Sequence, residues 1–282
     1  MSFSPKTLLA PGVVMSTLYF SSVCIADVEC GDTITDAQTL TFELSCSEDP
    51  AITVEGPDGS LVMSGEGAIE CTTDGVGVLM LGTSGVVTGG VVSNCETGLE
   101  LAGSGLHKVF SVTVEESSGA GVFAESDSNL IRQNTLSNTT NVQASGIVLE
   151  GVANVAIGNS VSGFFENGIG GFGFFSYIGN NYLEGNAVAI SLGARIIDGV
   201  TVGASFCVIA SNNVQNNEIW GIAIGGPYVI QNMDNVVSGN TVAGSGFDDL
   251  LDDNEASDCS SGTNIWSGNT ANTSFPSCLK DL

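Results

Sequence analysis

One short phrase returns along this chain and restricts what it can fold into. It reads NLIRQN at Asn129–Asn134, NVAIGN at Asn154–Asn159 and SYIGNN at Ser176–Asn181, then CVIASN at Cys207–Asn212, NVVSGN at Asn235–Asn240 and NIWSGN at Asn264–Asn269. The frame is polar, any, apolar, any, any, Asn, with a further apolar residue two places on: Leu136, Val161, Leu183, Val214, Val242 and Ala271. Counted between closing asparagines, the intervals are 25, 22, 31, 28 and 29 residues. Periodicity of this size marks a solenoid, in which each repeat buries its apolar face only against its neighbours.

The repeats are built from strands. Short runs of Val and Ile broken by Gly and Asn carry a period of two, and no stretch past the N-terminus sustains a helical stripe. A second recurring piece, seen at Gly98-Leu99-Glu100-Leu101, Gly121-Val122, Gly146-Ile147-Val148-Leu149 and Gly221-Ile222-Ala223-Ile224, reads as a strand entered through a tight turn. Two or three short strands per repeat, with no crossover helix, describe one coil of an all-β, single-stranded right-handed parallel β-helix with small caps. Stacked at ~4.8 Å, the asparagines can hydrogen-bond from coil to coil and can also serve the corners, since Asn tolerates left-handed backbone. His107 falls in the first column of the phrase, beside Asn129, and is expected to be a ladder residue. Aromatics crowd Phe164–Tyr182; most, Tyr177 included, are expected in the core, whereas Phe164, Phe165 and Trp220 fall in the variable loops, where exposure is expected.

The 282 residues divide into a leader at 1–26, an N-terminal cap at 27–63, coils at 64–247, and a last coil with a C-terminal cap at 248–282. The leader reading rests on Lys6, the apolar run Leu8–Ile25 and the small Ala26 before cleavage, and it implies a secreted or periplasmic protein. Beyond Asp27 no apolar run is long enough to cross a bilayer. Export makes disulfides plausible. Cys30–Cys46 would staple the first cap and Cys259–Cys278 the last. Cys71 and Cys95, 24 residues or about one coil apart, would lie one above the other, within bridging distance. Cys207 occupies a ladder position and is left as the free thiol.

Charge excludes some partners. Acidic residues number 31 against five Lys and Arg, a net charge of −26, which repels nucleic acid and anionic membrane surfaces and disfavours polyanionic substrates. The acidic stretch Asp248, Asp249, Asp252, Asp253, Glu255 and Asp258 is a candidate Ca²⁺ site without EF-hand spacing, or a solvated turn; no other cofactor is expected.

The NxΦxxN phrases joined to GIxL strands resemble the right-handed β-helix repeats of the pectin-lyase-like superfamily. Within it they are closest to the carbohydrate-binding and sugar-hydrolase type, which includes periplasmic proteins of nitrous oxide reductase maturation. The opening CGDTIT with Cys46, and the ending DDNEASDC to FPSC, resemble caps of exported members. The resemblance implies fold more than reaction. A lyase would want a Lys or Arg base and a partner for the uronate carboxylate, and only Lys108, Arg132, Arg195 and Lys280 follow the leader. The Asp motifs and Gly-His-Gly of polygalacturonase-like hydrolases are absent. One His and five Met do not suit copper handling. The expected function is therefore a non-catalytic surface for a polysaccharide, cell-surface glycan or other partner, with a polysaccharide-active enzyme as the alternative. Glu166, Glu184 and Glu218 each precede a second strand in successive coils. Stacked, they would form a carboxylate row at ~5 Å, beside Phe164, Phe165 and Trp220.

Overall fold

A computed structural model describes residues 27–140, 142–197, 200–225, 232–253, 259 and 263–281. The leader, Glu255 and Asp258 lie outside them. No helix among the described residues is long and apolar enough to cross a membrane. The chain winds as a right-handed parallel β-helix with almost no helix. Three parallel sheets of eleven, ten and nine described strands run its length, here called A, B and C in that order.

Each repeated phrase is one strand of sheet B held between two ladder residues. In Asn129–Asn134, Leu130 and Arg132 face outward, Ile131 is buried, Gln133 turns the corner and Asn134 points inside. Register is kept coil after coil: Leu130 pairs with Val155, Val155 with Tyr177, and Tyr177 with Val208. The apolar residue two places on enters sheet C, where Leu136, Val161, Leu183 and Val214 are fully buried. The core is a column of Val, Leu and Ile three sheets around.

The second Asn column is unbroken from Asn134 to Asn269. In every step the backbone N–H and the side-chain Nδ2 of one Asn both donate to the Oδ1 of the next, at 2.8–3.0 Å. The spare Nδ2 hydrogen returns to a carbonyl one coil back, as from Asn181 to Ala156 at 3.0 Å. Corner strain is carried elsewhere than expected. The left-handed residue is the one before the ladder Asn, such as Ser128, Gln133, Ala153 or Asn180, which frees the ladder residue for regular backbone.

His107 takes the first column as expected. Its N–H donates to Asn129 Oδ1 at 2.9 Å, Gly85 N–H donates to its Nδ1 at 3.1 Å, and Nε2 lies 2.7 Å from the Ala102 carbonyl. That pattern selects the neutral tautomer with the proton on Nε2. Burial pushes its pKa below the ordinary value of 6.5. The column weakens at Ser176 and Cys207. Among the described residues the Ser176 hydroxyl has no hydrogen-bond partner, and the Cys207 thiol lies at 3.5 Å from the Gly173 and Ser205 carbonyls, in place of an amide's short bonds. On the outside of the same corner Phe175 and Phe206, both left-handed, stack with centroids 5.2 Å apart.

The three disulfides Cys30–Cys46, Cys71–Cys95 and Cys259–Cys278 form, and Cys207 is free and buried. Met63 does not separate cap from coil. Strands Thr33–Ile34, Ala37–Leu40 and Glu43–Cys46 already contribute one strand to each sheet and pair in parallel with the next coil. Among the described residues this coil pairs with one neighbouring coil, and its strands alternate exposed with half-buried or buried side chains. The aromatic expectation holds for Phe165, which is exposed, and is reversed for Phe164 and Tyr177. Tyr177 shares its outward column with Leu130, Phe175 and Tyr182 are exposed, and Phe164 is the fully buried ring, at 1% exposure. Phe164 enters the aliphatic core where it replaces a third-column Asn: its N–H donates to Asn186 Oδ1 at 3.1 Å.

Replacing Asn181 by Ala orphans two buried N–H hydrogens of Asn159 and takes the side-chain donor from the Ala156 carbonyl, while Asn212 Oδ1 keeps the backbone N–H of residue 181; each unmet group costs about 1–3 kcal/mol. The urea midpoint should fall by the equivalent of at least ~3 kcal/mol, while Asn213→Ala, on the exposed face, should change it little. For His107 the folded pKa lies below the unfolded one. The unfolded chain therefore binds the proton first, and the contribution is complete above about pH 6.5 and lost as pH falls below it. Between about pH 6.5 and 5, His107→Asn should flatten the stability loss seen in the unaltered protein, as measured by urea titrations at each pH.

Candidate functional site

The outer surface of sheet A is hollowed over its later coils. Its strands read any-Gly-Φ-any-Φ. The glycine is dictated by the neighbouring coil, because a Cβ on Gly98 would come within 2.5 Å of the Gly121 carbonyl, and one on Gly146 within 2.5 Å of that of Gly168. The two remaining positions point outward. The first runs Asn167, Val188, Trp220, Asp248; the second runs Gly170, Ser191, Ala223, Leu251. Small residues in the second row, where earlier coils carry Phe123 and Val148, open a groove of about 440 Å³. Val188, Ser191, Ala223 and Leu251 line it together with Asn167, Trp220 and Asp253. An antiparallel hairpin, Ala194–Ile197 with Val200–Gly203, leaves the chain just after strand Val188–Leu192.

The expected carboxylate row does not form. Glu166 and Glu218 are exposed and precede sheet A strands two coils apart, roughly 10 Å by the strand spacing. Glu184 belongs to sheet C, paired with Ser162 and Gln215. The reason is loop length. Phe164–Asn167 and Asn217–Trp220 cross the turn in four residues, whereas the coil between crosses from Asn186 to Val188 in three and brings no carboxylate. Glu184 is further engaged, accepting from the Tyr182 hydroxyl at 2.6 Å and Asn216 Nδ2 at 3.2 Å. These two bonds, Tyr182 first, hold its carboxyl below the ordinary value. Glu166 accepts from Ser145 Oγ at 3.1 Å. Of the expected aromatics, Phe165 is exposed, Trp220 is half-buried in the groove wall, and Phe164 is in the core.

The acidic quartet divides. Asp249 is buried and accepts from the backbone N–H groups of Ser245, Asn272 and Thr273. Asp252 is fully buried in the core column of Ile224, where its Oδ2 accepts from Asn264 Nδ2 and the Trp266 indole, each at 2.9 Å. Both carboxylates serve the last coil, so the four residues do not converge as a Ca²⁺ set. Among the described residues no three carboxylates come within 4.8 Å of one another. Asp248 stays on the outer row, and Asp253 enters the groove, its carboxyl raised by burial first and by the charge of Asp252 second.

Asn167, Ser191 and Ala223 were not singled out from sequence. Their signal is a departure within the strand phrase, Gly-Ile-Gly-Gly and Gly-Ile-Ala-Ile against Gly-Ile-Val-Leu, which lowers the outer row.

No curated protein matches the sequence. Solved structures that resemble the fold include a mutant of the periplasmic alginate epimerase AlgG, 14% identical over 84% of this chain and 61% of that one, with a TM-score of 0.44. Others are the Dettilon tailspike protein, 11% identical over 84% and 60% with a TM-score of 0.45, and the Streptococcus pneumoniae surface protein and adhesin PfbA, 8% identical over 85% and 88% with a TM-score of 0.49. The chain spans about three fifths of the first two of these structures. A model of the right-handed β-helix region matches residues 76–242, more than half of the sequence. The chain belongs to the right-handed β-helix family.

Proposed function

We propose that this is an exported glycan-binding protein that holds a sugar chain in the groove on the outer face of sheet A without turning it over. Three disulfides point to an oxidising location. The observation that carries the binding reading is Trp220, half-buried in the wall of a groove floored by small side chains, with Asn167, Ser191 and Asp253 around it. An indole offers an apolar face to a sugar ring, and amide, hydroxyl and carboxylate groups receive its hydroxyls. The ionisable groups described at the groove and its rim, Asp253, Asp248, Glu166 and Glu218, are acidic, which favours a neutral glycan there. No cofactor is required, and Ca²⁺ plays no part in this reading.

A second reading, a polysaccharide-active enzyme, is favoured by Asp253 alone, because a carboxyl raised by burial beside a charged neighbour is how a general acid is prepared.

Retention on a panel of neutral polysaccharides, followed by product analysis, separates the two. Trp220→Ala should weaken retention about tenfold or more, with no new reducing or unsaturated ends from the unaltered protein. Turnover that Asp253→Asn abolishes while retention persists would establish the enzyme instead. Retention unchanged in Trp220→Ala would remove the groove from consideration.

A further inference from the structure

Sheet B departs from the rest of this acidic chain. None of its ten described strands carries an Asp or Glu, although the sequence holds 31. The acid-free strip is also where two of the five cations sit. Lys108 and Arg132 are exposed on its outer face in adjacent coils, Lys108 opposite Leu130 and Phe110 opposite Arg132. Strand spacing and rise put their Cα atoms about 8 Å apart. Among the described residues neither makes an ion pair or a side-chain hydrogen bond. In a protein of net charge −26, two cations left unpaired together form a local positive site.

The surface around them has the parts of a saccharide site. Arg132 lines an open depression of about 370 Å³ with Leu130, Val155 and Ile157 as apolar floor and the exposed amides Gln133 and Asn180 at its edge. Two coils on from Arg132, Gly179 leaves its outward position empty and the Tyr177 ring lies across it; a Cβ there would meet Tyr177 Cε1 at 2.4 Å. A ring laid along a sheet presents its face to solvent, about 10 Å from the Arg132 backbone.

We propose that the outer face of sheet B, from Lys108 through Arg132 to Tyr177, binds an acidic glycan. A sugar ring stacks on Tyr177, and the carboxylates along the chain meet Arg132 and Lys108, with Arg132 able to bind one through two parallel hydrogen bonds. The global charge does not forbid this. At physiological ionic strength fields decay over about 8 Å, so the strip's own cations govern a ligand in contact with it. Asp127, around the corner, is held by the Val152 N–H at 2.7 Å. A second copy of the chain is a poorer occupant: the cations lie on the fourth and fifth of ten strands, and a two-fold pairing of this face would set them against their own copies. The site is separate from the sheet A groove and does not depend on it.

The test measures binding of a fluorescent galacturonic acid hexamer at physiological salt, with a neutral glucose hexamer and a hexaglutamate peptide as competitors. The double variant Lys108→Gln, Arg132→Gln and the single variant Tyr177→Ala should each weaken uronate binding, the former at least tenfold, and Trp220→Ala should leave it unchanged. All four positions are outward-facing, and matching urea midpoints will show that the variants fold. Neither competitor should displace the uronate. Several results would overturn the proposal: no uronate binding, binding unchanged in the double variant, loss in Trp220→Ala, displacement by the glucose hexamer, or equal displacement by hexaglutamate. The last would make the occupant an acidic peptide.

Discussion

The structure depends on the hydrogen bond from one ladder asparagine to the next. A parallel coil must bring its corners inside, and each corner buries a backbone N–H that no strand partner can reach. The Oδ1 of the Asn one coil on accepts that N–H and a side-chain hydrogen together, as from Asn134 to Asn159 and from Asn159 to Asn181. The cost of leaving such donors unmet fixes the vertical register of every coil. Because side chains alternate across a strand, fixing the register at the corner decides which residues face the core and which face water.

Two departures from the ladder show how it is maintained. His107 substitutes for Asn by accepting at Nδ1 and donating at Nε2, which works only while the ring is neutral. Ser176 and Cys207 are too short or too weakly polar to continue the column, and at that same corner the chain stacks Phe175 on Phe206 outside. The external ring contact stands where the internal hydrogen bond is missing. Asp252 is a third variation at the C-terminal end: a carboxylate occupies a core column and is satisfied by Asn264 and Trp266.

With the interior committed to repetition, the outer faces are where the coils differ. Sheet A is lowered by Gly170, Ser191 and Ala223 beside Trp220 and has acidic groups around it. Sheet B is aliphatic, carries no acid and holds Lys108 and Arg132. Sheet C is largely hydroxyl and amide, with Glu184 tied to Tyr182 and Asn216. Three chemically distinct faces on one rigid rod leave room for more than one ligand.

The sequence by itself determined the solenoid, its strand phrase, the ladder role of His107, the three disulfides and the free Cys207. The solenoid, the ladder columns and the Cys71–Cys95 pair follow from periodicity, a property of local sequence that survives translation from coil to coil; the other two disulfides follow from the placing of cysteines at the two caps. What it could not determine was alignment across turns of unequal length. Glu184 precedes its corner Asn186 and sits in sheet C, whereas Glu166 and Glu218 follow their corner residues Phe164 and Asn217, and the shorter turn between them brings no carboxylate, so the expected row dissolves. It likewise could not say that Phe164 rather than Tyr177 would be buried, because that depends on which Asn column a ring displaces. Nor could it divide Asp248 and Asp253 from Asp249 and Asp252, since neighbours along an acidic run part company once a strand sends alternate side chains to opposite faces. Repetition is written in the chain. The groove, the acid-free strip and the pairing of outward residues arise only when coils are stacked, because each joins residues more than twenty positions apart.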